Sequence, residues 1–193
     1  MLETPVKLLV LFFIERKCDN SEDRDNQQER LVMKEKMGYY LAGFADGEGS
    51  FNVSFRKRQD YKLPFKISLC FNISQKDKVI LALCKHHLGC GTLRSRPDGV
   101  WYYEVNNFKS ICDNVIPFFK RYSFLSSKKK RDFLKFCQIA MMIKNDEHLK
   151  IEGIKKILNI RKDMNDGGKR KYSDNQILKI MQESSETIRR TKE

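Results

Sequence analysis

Between positions 65 and 74 the chain alternates without a slip. Phe65, Ile67, Leu69, Phe71 and Ile73 are apolar, and Lys66, Ser68, Cys70, Asn72 and Ser74 fall between them. A period of two belongs to a strand with one face in a core and the other in water. Sliding its register by one residue would turn every apolar side chain outward, so this run admits very few folds. Just upstream, Phe51, Val53 and Phe55 alternate with Asn52, Ser54 and Arg56 in the same way. Both apolar faces need a covering layer.

Helices supply it. Residues 77–88 carry apolar side chains at 79, 80, 83, 84 and 88 and stop at Gly89. Residues 91–96 and 100–105 flank Pro97-Asp98-Gly99, a turn sequence between two short strands. A helix over 108–116 closes at Pro117, and another over 128–143 buries Phe133, Leu134, Phe136, Cys137 and Ala140. The apolar, helix-length stretch from Met37 to Asp46 precedes the first strand. The order is αββαββα, an α+β architecture with helices on one face of a four-stranded antiparallel sheet. Two C-terminal helices follow, over 148–163 and from a capping box of Ser173 and Gln176.

A chain of 193 residues has room for one domain of about 150 plus extensions. Lys and Arg number 38 against 25 Asp and Glu, a net charge of +13. Residues 1–36 hold seven basic and eight acidic side chains, so residues 37–193 carry +14. The polar text at 18–30 reads as linker, and 1–36 as a poorly ordered extension. The expected division is 1–36 extension, 37–147 core, 148–193 helical tail. The charge excess calls for a polyanionic partner, nucleic acid before an acidic membrane surface. Six cysteines without a CxxC pair point to a reducing compartment rather than a disulfide framework. The apolar run 8–14 is far too short to span a membrane, and no small-residue cleavage site follows it.

The sheet face left bare by the helices takes Asn52, Ser54, Arg56 and Arg58 from the first strand. The second contributes Lys66, Ser68, Asn72 and Ser74, and the third Arg94 and Arg96. Trp101 and Tyr103 are candidates for the same face, their parity open. Such side chains reach phosphates and base edges, and a β-ribbon fits a major groove about 12 Å wide. Most polar strand faces are only solvated, but five basic residues and no acid favour a nucleic acid. Cys84, His86, His87 and Cys90 are close in sequence, yet no second ligand pair follows, so they read as core or surface. No nucleophile motif, Walker glycine pattern or dinucleotide fingerprint is present.

The most specific text is Leu41-Ala42-Gly43-Phe44-Ala45-Asp46-Gly47-Glu48-Gly49-Ser50. It resembles the signature of the LAGLIDADG homing endonucleases in its LAGFxDGEGSF form, and the resemblance extends over about residues 37–143 through the αββαββα order. It implies a site-specific, Mg²⁺-dependent double-strand DNA endonuclease, encoded in a group I intron and cutting across the minor groove. The motif occurs once, which by the same resemblance implies a homodimer on a long, roughly palindromic site. Ala42, Gly43 and Gly47 would then pack at the two-fold axis, since small residues let helices approach closely. The eighth motif position, Glu48, would be the catalytic carboxylate and metal ligand, while Asp46 is a structural helix-end group. Gln75 matches the family's water-orienting strand end. Lys128, with Lys129 as its substitute, matches the family's phosphoryl-stabilising lysine. The alternative implied by the same family is a maturase that binds its intron RNA to assist splicing.

Overall fold

The computed structural model describes residues 23–58, 64–167 and 170–190. Helix α1 (Asp23–Glu48) passes without a loop into β1 (Gly49–Lys57), which returns as β2 (Phe65–Gln75). Then come α2 (Lys78–Leu88) and the hairpin of β3 (Thr92–Ser95) and β4 (Trp101–Val105). A short α3 (Phe108–Ser110) continues through a π-helical turn (Ile111–Val115) into α4 (Ile116–Arg121). The chain ends in α5 (Ser127–Lys144), α6 (Ile151–Lys162) and α7 (Asp174–Arg190). The strands form one antiparallel sheet in the order β1-β2-β4-β3.

Register follows the alternation. Phe51 lies opposite Phe71, Val53 opposite Leu69 and Phe55 opposite Ile67, so both apolar strand faces look the same way. Phe51 is the hub of the layer beneath. Its ring centroid is 5.0 Å from Phe71, 5.1 Å from Phe136 and 5.3 Å from Phe133, with Phe119 and Phe124 each at 5.7 Å. Aromatic pairs at such separations add to the burial of their area. Helix α2 begins on Asp77, whose carboxylate accepts from the Val79 amide at 2.8 Å, and ends on Gly89 at φ 66°. That left-handed cap is cheap only for glycine.

Four expectations need correction. Helix α1 reaches back to Asp23, so residues 23–36 are the front of the motif helix rather than a poorly ordered extension. The apolar run 8–14 and Cys18 lie outside the described residues. Pro117 does not end its helix: the widened π turn absorbs it near the start of α4, where a missing N–H costs nothing. Leu134 is exposed on α5, and the buried stripe there uses Ile139 and Met142.

The fourth concerns the tail. Ile154, Ile157, Leu158, Met164, Ile177 and Met181 are buried in the same core as the sheet residues. Arg161 is buried too, its guanidinium bonded to Asp174 at 2.9 Å and stacked over Phe55 at 4.6 Å. The Ser173 and Gln176 capping box forms as expected, with bonds of 2.9 and 3.2 Å. The described segments from Ile151 to Met181 are therefore built into the domain's core. Among the described residues, no helix is long and apolar enough to cross a membrane.

Candidate nucleic-acid interface and active site

In an antiparallel sheet, directly paired residues project to the same side. The pairs Arg56–Lys66, Ser54–Ser68 and Asn52–Cys70 thus share the face opposite Phe51. The row Ser50–Asn72–Glu104–Thr92 extends it across all four strands, and Ser74–Tyr102–Arg94 lies beside it. Arg96 joins them, its guanidinium 4.7 Å from the centroid of the Tyr102 ring. Arg58 continues the same parity just past β1 and is exposed. The expected basic face exists, with five basic residues on it.

Two of its expected members are elsewhere. Tyr103 is fully buried and its hydroxyl donates to the Cys90 carbonyl at 2.9 Å. Trp101 pairs with Gln75 on the helix side of the sheet, where the Lys78 ammonium sits 4.4 Å from its ring. Tyr102 and Glu104 take their place on the bare face, together with Cys70, Thr92 and Ser50. Cys84 is buried in the core, and burial pushes its thiol up to about 12.

At one end of this face α1 turns into β1. A Cβ on Gly49 would lie 2.6 Å from the Ala45 carbonyl oxygen and 3.2 Å from the Phe71 ring, so only glycine permits the abrupt turn. It leaves Glu48 exposed at the last position of the helix. Gly49 pairs with Ile73, which places Gln75 at this same end of the sheet. The Gln75 side-chain oxygen accepts from the Lys76 amide at 2.8 Å, leaving its N–H donors for another partner.

The lysine assignment changes. Lys129, not Lys128, faces this end: its ammonium donates to the Gly49 carbonyl and feels the charges of Asp46, Asp132 and Glu48. Burial lowers its pKa below the usual lysine value, and those three carboxylates oppose the shift. Lys128 is turned away, in an exposed ion pair with Asp166.

Asp46 is structural, as expected. It accepts from the backbone amides of Leu125 and Ser126, at 3.1 and 2.9 Å, and from the Ser126 hydroxyl. Partial burial would raise its pKa, but these bonds and the Lys129 charge together hold it below the ordinary value. Ser126 is in turn the N-cap of α5, accepting from the Lys129 amide at 3.3 Å. One continuous set of bonds therefore ties the end of the motif helix to the lysine beside it.

On the outer side of α1, Cβ atoms on Gly43 and Gly47 would meet nothing within 4 Å, and Tyr40 is exposed on the turn before. Ala42, expected with them, is instead 2% exposed and packs inward. Among the described residues, no group of three or more His, Cys, Asp or Glu side chains is placed to hold a metal ion alone. One exposed carboxylate, Glu48, suits a hard cation only where its other oxygen ligands come from outside this chain.

In sequence and in fold the chain is similar to known homing endonucleases. Homing endonuclease I-ApeII of Aeropyrum pernix is 29% identical over 74% of this chain and 88% of its own length. The archaeal intron-encoded homing endonuclease I-Vdi141I, solved in complex with DNA, superposes with a TM-score of 0.69 at 33% identity, covering 78% of this chain and 96% of that one. I-SmaMI, solved on its uncleaved DNA target with calcium ions, gives a TM-score of 0.63 at 34% identity over 67% of this chain and 45% of that one. The chain spans only 29% and 24% of the length of two probable intron-encoded endonucleases of Neurospora crassa. A family model described as LAGLIDADG endonuclease matches residues 41–140, from the first motif residue into α5. With its motif helix, its sheet and its sequence all in agreement, the chain belongs to the LAGLIDADG endonuclease family.

Proposed function

We propose that this protein is a homing endonuclease that makes a double-strand break at a long, roughly palindromic DNA site, acting as a homodimer with Mg²⁺. What supports the reading is the exposed Glu48 at the end of α1, with the charge of Lys129 acting on it and β2 ending in Gln75 at the same end of a sheet whose other face is basic. The face tracks the groove while the cluster meets a phosphate. Each subunit offers one exposed carboxylate, so two subunits joined through the open Gly43–Gly47 side of α1 supply a pair, one for each strand.

Glu48 from each subunit, with scissile phosphate oxygens, would hold the metal, which when bound lowers the pKa of an attacking water and offsets charge on the leaving oxygen. The protein's own groups do the rest. Gln75 orients water through its amide donors. Lys129, held by Gly49 and positioned through Asp46 and Ser126, stabilises negative charge building on the phosphoryl oxygens. The arginines and lysines of the sheet bind the backbone, and the polar residues between them read base edges.

The test joins the exons flanking the gene into an intronless duplex and adds purified protein with Mg²⁺ or EDTA. The proposal expects a Mg²⁺-dependent double-strand cut near the junction. Tight binding without cutting would replace the nuclease by a DNA-binding regulator. Tight binding of the intron RNA alone would replace it by a maturase.

A further inference from the structure

A carboxylate in the middle of a phosphate-binding face needs a reason. Glu104 shares its face with Arg56, Lys66, Arg94 and Arg96, yet among the described residues it forms an ion pair with none of them. Its Oε1 accepts instead from the Cys70 thiol at 3.5 Å, and the Cys70 sulfur accepts from the Asn72 side-chain amide at 3.7 Å. Burial raises the Cys70 pKa to about 11, so the thiol stays a donor at neutral pH. Glu104 is half-buried on β4, an inner strand, directly between Asn72 and Thr92. The thiol holds one carboxylate oxygen, and among the described residues no donor reaches the other. Against a phosphate it repels, and as a solvated surface group it would not need a relay of two side chains to hold it.

We propose that Glu104 is a specificity-determining residue that selects a cytosine at one symmetric pair of positions in the target. The inference rests on the DNA-cleaving reading above. A carboxylate only accepts hydrogen bonds. In the major groove guanine O6 and N7 and thymine O4 are acceptors and repel it, while cytosine N4 and adenine N6 donate. Adenine sets its own N7 acceptor beside N6, whereas cytosine's own major-groove edge carries the amino donor and no acceptor, so cytosine is preferred. A dimer presents Glu104 twice, once to each half-site.

The test randomises the base pairs of both half-sites around the cleavage centre and sequences what the wild type, E104Q and E104A cut or retain. The wild type should favour cytosine at one mirrored pair of positions by about tenfold. E104A should lose that preference and keep every other. In E104Q the amide both donates and accepts, which matches adenine N7 and N6, so the preference at the same pair should move from cytosine to adenine. A wild type that selects a site while both variants return its unchanged profile overturns the assignment alone. So does an even weakening at all positions. A wild type that selects no sequence overturns the DNA reading and the assignment with it.

Discussion

Substituting Gly43 by alanine should move two properties in opposite directions. Gly43 lies in the interior of α1, and a Cβ there would meet no atom of its own subunit within 4 Å. Within one subunit the change is a plain gain: glycine in a helix costs roughly 0.5–1 kcal/mol relative to alanine. At roughly 2–4 °C per kcal/mol for a domain of this size, the monomer's melting temperature should rise by about 1–4 °C. At the proposed two-fold contact the same methyl meets its twin. Overfilling a close-packed contact costs typically about 1–3 kcal/mol, and a tenfold change in affinity corresponds to about 1.4 kcal/mol. The dimer dissociation constant should therefore rise about 5- to 150-fold. Melting measured at concentrations where both proteins are monomeric gives the first quantity, and sedimentation equilibrium the second. Cleavage should fall with the dimer and return at high protein concentration. A less stable monomer, or an unchanged dissociation constant, would refute the reasoning that leaves this face open for a second subunit.

Four further outcomes follow from the site and the core. Lys129→Ala should lower single-turnover cleavage by about 10²–10³-fold, as for loss of one donor to a developing charge, while Lys128→Ala changes it only a few-fold. Because burial lowers the Lys129 pKa, the wild-type rate should begin to fall in the alkaline range before an exposed lysine would titrate. Asp46→Asn should cost roughly 1 kcal/mol at neutral pH, typical of a lost helix cap. The Asp46 pKa is lowered in the fold, so the stability it contributes is complete above the ordinary carboxylate value of 3.8 and is lost as pH falls through the folded value. The deficit of Asp46→Asn in urea melts should therefore shrink below pH 3.8 and not above it. Removing the residues after 147 should abolish cooperative unfolding rather than leave a working core, since Ile154, Ile157 and Leu158 belong to that core.

Much of this was legible from alternation alone. Residues 65–74 and 51–56 placed both long strands and their polar faces correctly, because a two-residue period leaves no freedom in which side meets water. Tyr102 and Glu104 were missed, although the sequence held their signal. A three-residue turn at Pro97-Asp98-Gly99 pairs Arg96 with Val100, as the bond from the Arg96 amide to the Val100 carbonyl at 2.8 Å shows. That pairing sets Tyr102 opposite Arg94 and puts Trp101 and Tyr103 on the core side. Lys128 and Lys129 were not separable in this way. Neighbours on a helix differ by about 100° in direction, and only the contact of α5 with the end of α1 decides which one faces Glu48. Similarly, the charge-rich text at 23–36 carries no apolar period, and its helix is an extension of the packed turns after Met37. Ala42 and Gly43 are adjacent and both small, yet one faces the core and the other the open side.

On the proposed reading Glu48 carries the chemistry while the sheet carries the binding. Its most direct test is Glu48→Gln on the joined-exon duplex, with binding and single-turnover cleavage measured in the same Mg²⁺ buffer. The variant should bind within a few-fold of the wild type and cut neither strand. Cleavage that persists in Glu48→Gln would contradict the assignment of the active site, and loss of binding together with cleavage would contradict the separation of the two roles.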